Sequence, residues 1–374
     1  MSTEPSGKFG RFAQFAQFAQ FAQFAQFAQF AQFAQFAWIT LGFNILVILW
    51  GAYVRISYSG DGCGDHWPKC NGELVPNLSS TKTLIEFSHR ATSGIALLLV
   101  VALAVWAFRA FQRGSVVRKG AMTALLFIII EALLGAGLVK FGLVNKNDSV
   151  QRAIVMSLHL VNTLILVGAV TATAWWATTG RSLQLRGQKL LTPAMIFMLF
   201  GTLVLGISGA ITALGDTLFP ATSLSEGMRQ DFSPTAHILI RLRIWHPIIA
   251  LTMACVSIFL AVWISVTSQI RQAVKMARAV IGIYITQIIL GFINLFLLAP
   301  GWMQIIHLLL ADVLWVHLVM LVVATLSAAP GKTQESIEKS REIWGNPVKP
   351  REISESLGKF LERVWKFGLL LLAP

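Results

Sequence analysis

The chain has 374 residues, 55% of them hydrophobic and 13% charged, with a formal net charge of +13. Apolar runs long enough to cross a bilayer, which takes ~20 residues each, exclude a water-soluble core. The excess positive charge reads as membrane topology and attraction to anionic lipid rather than as nucleic-acid binding.

Residues 12–35 are eight copies of Phe-Ala-Gln, continued by Phe36 and Ala37 into Trp38. On a helix of ~3.6 residues per turn, a three-residue period drifts by about 60° per copy, so the Phe positions spiral round and make no fixed face. Eight glutamines also oppose insertion into lipid. Residues 1–37 are therefore expected to form a cytoplasmic low-complexity extension without chemistry, and no cleavable signal peptide or Arg-rich transit peptide is expected there.

Eight membrane spans follow, expected at 38–56, 88–108, 121–142, 153–177, 191–214, 237–267, 279–299 and 304–328. Lys and Arg gather in cytoplasmic loops. Placing the N-terminus inside puts twenty of the thirty basic residues on that side, eight of them in the tail from Pro330. Both termini are expected to be cytoplasmic. The tail, 330–374, is expected to anchor on the bilayer through an amphipathic stretch at Leu357–Leu371.

Landmarks recur at a near-constant spacing. Gly51-Ala52-Tyr53-Val54-Arg55 ends the first span as Gly206-Ile207-Ser208-Gly209-Ala210 ends the fifth. Glu131 to Gly135 in the third matches Gln287 to Gly291 in the seventh, His89 matches His246, and His159 matches His307. The expected architecture is an all-α integral membrane protein of eight transmembrane helices, arranged as two pseudo-symmetric four-helix bundles over 38–180 and 190–328.

Each of His89, His159, His246 and His307 falls near the start of an outward-to-inward helix, so all four lie towards the outer leaflet. Ionisable residues inside a membrane are costly and mark functional sites. Two imidazoles at similar height in each half can ligate iron from both faces of a porphyrin, which points to two bis-histidine haem sites. His66, His237 and His317 lie off this level and read as solvated or packed. Haem propionates need cations at a polar boundary, and Arg55, Arg90, Arg152, Arg241 and Arg243 stand at helix ends near the histidines.

Glu86 shares a helix face with His89, one turn away, whereas the position three before His246 is Arg243. This asymmetry implies one reactive half and one that carries electrons. Glu131 and Asp312 lie mid-span and must face protein; packing, hydrogen bonding and proton relay all remain open for them. In the first outer loop, Cys63 and Cys70 flank His66 and read as a disulfide in an oxidising compartment. A metal site using Cys63, His66 and Cys70 is the other reading, for which no fourth ligand is apparent. Cys255, in a span, reads as a small packed hydrophobe.

Gly51-x-x-Val54-Arg55, the loop from Gly62-Cys63 to Trp67-Pro68-x-Cys70, Glu86-x-x-His89-Arg90, His159-Leu160, Ile244-Trp245-His246-Pro247 and His307-Leu308-x-x-Ala311 together resemble the haem A synthase family over about residues 40–325. The resemblance implies oxidation of a haem O methyl to the formyl of haem A for cytochrome oxidase, by successive hydroxylations and loss of water from a geminal diol. It implies that His89 and His159 hold the substrate haem, that His246 and His307 ligate a permanent haem B, and that catalytic Glu86 acts beside the reacting site. Cys63 and Cys70 correspond to a cysteine pair present in part of that family. This sequence departs from the pattern in carrying His66 between the cysteines, in lacking a second cysteine pair, and in having Pro247 where Arg90 follows the first histidine. The implied setting is a bacterial plasma membrane, with an electron donor, a haem O synthase and oxidase assembly factors as partners. The rival reading is a dihaem electron carrier of the cytochrome b type that alters neither haem; Glu86 and the one-sided cysteine pair favour the enzyme.

Overall fold

The computed structural model describes residues 6–181, 183 and 190–327, with side chains described from residue 29 onward. Among these, every regular element is a helix: α1 Ser6–Ile56, α2 Thr81–Ala110, α3 Val116–Lys140, α4 Val150–Thr179, α5 Leu191–Leu218, α6 Leu224–Asp231, α7 Ile238–Leu242, α8 Trp245–Thr267, α9 Arg271–Phe296 and α10 Gly301–Thr325. Eight stretches are long and apolar enough to cross a membrane, the sixth formed by α7 and α8 together. The expected all-helical, multi-pass class holds. The tail expected to lie on the bilayer falls outside the described residues.

The first apolar stretch takes in Gln29–Ile56 among the described residues, so it includes the last copies of the repeat. Phe33, Ala34 and Ala37 are buried. Phe33 lies edge-on to Trp106 and Phe111 of the α2 end, with ring centroids 5.7 and 4.9 Å apart, and Phe30 stacks on Phe111 at 4.9 Å. A spiral of Phe makes no stripe along a long helix, but its last copies need only one aromatic pocket, and the end of α2 supplies it.

Two features escaped the hydropathy pattern. Helix α6 stands outside the bundle, started by Ser223, whose side chain accepts from the Glu226 backbone N–H at 3.2 Å. The Ser-x-x-Glu order of Ser223 and Glu226 is a capping-box signature. The sixth span also breaks between α7 and α8. Pro247 has no N–H for the carbonyl of Arg243 four residues back, and its ring crowds that carbonyl. The helix restarts at Trp245, and the Arg243 carbonyl accepts instead from His246 N–H at 3.2 Å.

The helices pack in a repeating order: α1 on α2, α2 on α3 and α3 on α4, then α5 on α8, α8 on α9 and α9 on α10. One hydrophobic core runs through both sets. Helix α10 packs on α4 as well as on α9. Trp315 Nε1 donates to the Leu164 carbonyl at 2.6 Å, and its indole lies against Gly168.

Candidate haem-binding site

Of the four candidate histidines, His246 stands in the first turn of α8 and His307 in the second turn of α10, while His89 and His159 stand just over two turns into α2 and α4. Consecutive spans run antiparallel, so these four, taken alternately along the chain, run the same way and their starts share one end of the bundle. Arg55 and Tyr58, from the end of α1, reach the end of α5 at that same level. Arg55 donates to Ala213 O at 2.6 Å, Thr217 Oγ1 at 2.5 Å and Gln304 Oε1 at 3.0 Å, and the Tyr58 hydroxyl donates to Thr217 O.

Every one of the four rings turns its Cε1 edge to a glycine of the neighbouring helix. A Cβ built at Gly51 would lie 3.0 Å from Cε1 of His89, and at Gly209 3.1 Å from that of His246. At Gly291 it would lie 3.3 Å from Cε1 of His307, and at Gly135 3.9 Å from that of His159. At Gly51, Gly209 and Gly291 the absence of a Cβ lets backbone and ring approach closely, while at Gly135 the contact is an ordinary one. The counterpart of Gly51 is therefore Gly209 and not Gly206, which packs instead on Leu164 and Leu160. His89 and His159 belong to the α1–α4 set and His246 and His307 to the set of α5 and α8–α10, two rings to each.

The polar partners of the rings differ. Oε1 of Glu131 lies 3.3 Å from His159 Nδ1, too far off line for a well-aligned hydrogen bond, while the other groups on that carboxylate are Asn162 Nδ2 at 2.5 Å from Oε2 and the Thr163 hydroxyl on Oε1. Ser208 Oγ lies 3.0 Å from His246 Nδ1. Gln287 Nε2 lies 3.3 Å from His307 Nε2 and donates to the His307 carbonyl at 3.2 Å. The Nδ1 atoms of His89 and His307 are buried without a partner among the described residues. Hydropathy and spacing gave no weight to Glu131 over Asp312; the signal was its place four residues before Gly135, which matches Gln287 before Gly291. Asp312 is buried, with Oδ2 unpartnered.

Glu86 is buried, and its carboxylate is occupied. Oε2 accepts from the Cys63 backbone N–H at 2.8 Å, and Oε1 accepts from Arg90 at 2.6 and 3.1 Å. Arg90 in turn donates to the carbonyls of His66 and Lys69 at 2.6 and 2.7 Å. Cys63 and Cys70 are joined by a disulfide, so Glu86 and Arg90 pin the closed loop to α2. His66 is exposed beside Asp65, and among the described residues no cluster of His, Cys, Asp and Glu suits a protein-only metal site. Arg243, three before His246, ties Asp231 at the end of α6 and Asp216 of α5, at 2.8 and 3.0 Å.

The five arginines fall into two groups. Arg90 and Arg243 are neutralised by carboxylates. Arg55 and Arg152 meet only neutral acceptors, Arg152 donating to the carbonyls of Asn145 and Asn147, and Arg241 is exposed with no side-chain hydrogen bond among the described residues. His237 caps α7 and lies on the Phe219 ring, and His317 Nδ1 lies 2.8 Å from the Val313 carbonyl. Cys255, expected to pack as a small hydrophobe, faces outward. On a helix crossing lipid that face is also apolar, so its sequence signature is the same.

A family model described as "Cytochrome oxidase assembly protein" matches residues 34–319. A stretch of 290 residues is 46% identical to a protein of Thermus thermophilus named "Protoheme IX farnesyltransferase", covering 78% of this chain and 48% of that one. The "Heme A synthase" of an Exiguobacterium species is 46% identical over 101 residues, 27% of this chain and 33% of that protein. That of Halalkalibacterium halodurans is 44% identical over 98 residues, 26% and 33%. The chain thus spans about half the length of the Thermus relatives it matches. With the match running from the last repeat copies through most of α10, and so over all four glycine-backed histidines, the chain belongs to the cytochrome oxidase assembly protein family.

Proposed function

We propose that this protein is a haem A synthase, an oxidoreductase that converts a haem O methyl group to the formyl of haem A, with haem B as a resident group in its second half. The observation that carries the reading is the set of four glycine-backed imidazoles, in two pairs at one end of an apolar bundle. Two imidazoles per half are too few for a protein-only metal site and enough for iron whose other ligands come from a porphyrin. Nε2 of His89, His159 and His246 makes no hydrogen bond among the described residues, which leaves those nitrogens as donors. The names of the Exiguobacterium and Halalkalibacterium relatives support the same activity. The name of the Thermus relatives supports a nearby supply of farnesylated haem, the class of molecule this site would receive.

Bound haem iron supplies the oxidising power for an unactivated C–H bond, which side chains lack. The chain's own residues hold and orient. His89 and His159 fix the substrate, and His246 and His307 the resident group. Glu86 and Arg90 keep the Cys63–Cys70 loop closed over the first half, where Glu86 stands one turn from the reacting level. Arg55, Arg152 and Arg241 retain charge for propionates, a role for which Arg90 and Arg243 are less free. The surplus of basic residues on one side supports cytoplasmic termini in a bacterial plasma membrane, with the histidine end outward.

Haem extracted from the purified protein and identified by mass should include haem B together with haem O, an alcohol intermediate or haem A. Two equivalents of haem B alone would overturn the enzyme in favour of a dihaem electron carrier. His246→Ala and His307→Ala should each remove the low-spin haem B signal, because a bis-histidine centre does not survive loss of an axial ligand unchanged. An intact signal in both variants would sink the second-half assignment.

A further inference from the structure

We propose that Glu131 is a positioning residue that fixes the Nδ1–H tautomer of His159 and makes it a stronger ligand than its second-half counterpart, His307. The inference rests on the reading of His159 as a haem ligand. Oε1 of Glu131 lies 3.3 Å from His159 Nδ1, and among the described residues no other polar group engages that nitrogen. An imidazole whose Nδ1–H faces a carboxylate presents its Nε2 lone pair outward, with raised basicity.

The carboxylate is itself held. Asn162 Nδ2 sits 2.5 Å from Oε2 and is braced by the Phe127 carbonyl at 2.9 Å, while the Thr163 hydroxyl meets Oε1. Helices α3 and α4 are thereby tied one turn from the ligand, and Gly135, one turn further along α3, lies beside the ring.

The second half carries the same frame without the charge. Gln287 precedes Gly291 as Glu131 precedes Gly135, yet its amide approaches Nε2 of His307 and leaves Nδ1 without a partner. Of the four rings only His159 has a carboxylate at Nδ1; His246 has the Ser208 hydroxyl, and His89 has none. A ligand of greater anionic character favours ferric iron, so a haem held by His159 would have a lower potential than with glutamine in place of Glu131.

The test uses the full-length protein carrying haem O in its first half. His159→Ala establishes the site by removing the first-half low-spin signal; if that signal persists, the ligand assignment fails and the inference falls with it. With the site established, Glu131→Gln should raise the midpoint potential of the first-half haem and speed its dissociation about tenfold, leaving the second-half signal unchanged. Thr163→Val keeps the carboxylate but removes a donor from Oε1, so it should shift the potential the opposite way. This second variant also decides the matter should Glu131→Gln lose both haems through misfolding. Wild-type potentials in the variants that retain haem would overturn the role of Glu131 while leaving His159 as a ligand.

Discussion

Glu86 and Arg243 occupy equivalent places, three residues before His89 and His246, with opposite charge. In the sequence, that difference is the ground for expecting one reactive half and one electron-carrying half. In the structure both side chains have a common anchoring role, since each is buried and ties an outer connection to the helix that carries the histidine or to the short helix before it. Glu86 holds the disulfide loop, and Arg243 holds the segment around α6. Chemistry beside the reacting haem and loop anchoring by Glu86 are separable by experiment. Glu86→Gln keeps an acceptor for the Cys63 N–H but loses the charge that binds Arg90; hydrogen bonds to charged groups contribute ~1.5–3 kcal/mol each. Amide exchange in the Cys63–Cys70 loop should therefore accelerate by about tenfold or more, with haem B content unchanged. If those amides exchange at the wild-type rate while haem A formation is lost, Glu86 acts on the reaction and not as an anchor.

At the scale of the element, the histidines depend on their neighbours as much as on their own helices. Repeat and composition make the four rings legible in the sequence. The glycines behind them are less so, because small residues are common in membrane helices and the correct partner of His246 is Gly209, three residues from the one the repeat spacing favours. Overpacking a close contact costs ~1–3 kcal/mol, and at these positions the movable neighbour is the ligand ring itself. Gly209→Val should displace His246 and weaken or abolish the second-half low-spin signal. Gly282→Val is the control, since a Cβ at Gly282 meets nothing within 4 Å. A Gly209→Val protein with the wild-type absorption and magnetic-resonance spectrum would show that the close approach is incidental. The break before α8 and the capped helix α6 were also written in the chain, in Pro247 and in Ser223 with Glu226, but a hydropathy window averages over such local signals.

For the whole molecule, length and composition were enough to set class and span count, since a bilayer leaves few alternatives for backbone hydrogen bonding. What they could not convey is where side chains find partners across elements. The Phe-Ala-Gln repeat has no periodic face, yet Phe33 ends in an aromatic pocket; the arginines at one level look alike in sequence, yet only some are neutralised. The joining of the two histidine-bearing sets belongs to this class of facts. Their core is continuous, Trp315 of α10 bonds to the α4 backbone, and Arg55 of α1 reaches α5 and α10. Burying apolar side chains contributes ~1.5–3 kcal/mol apiece relative to exposure in water, but lipid is as apolar as leucine, so in a membrane the association rests on close packing and on such interhelical bonds. A chain cut between Arg181 and Leu190, with both pieces made in one cell, should therefore reassemble: a tag on the first piece should retrieve the second, with the low-spin haem B signal intact. Replacing Trp315 by Ala in the cut protein removes the α4–α10 hydrogen bond and should reduce recovery several-fold, while the uncut Trp315→Ala protein still holds its haem. Pieces that never co-purify would mean that the α4–α5 connection, and not the shared core, holds the two sets together.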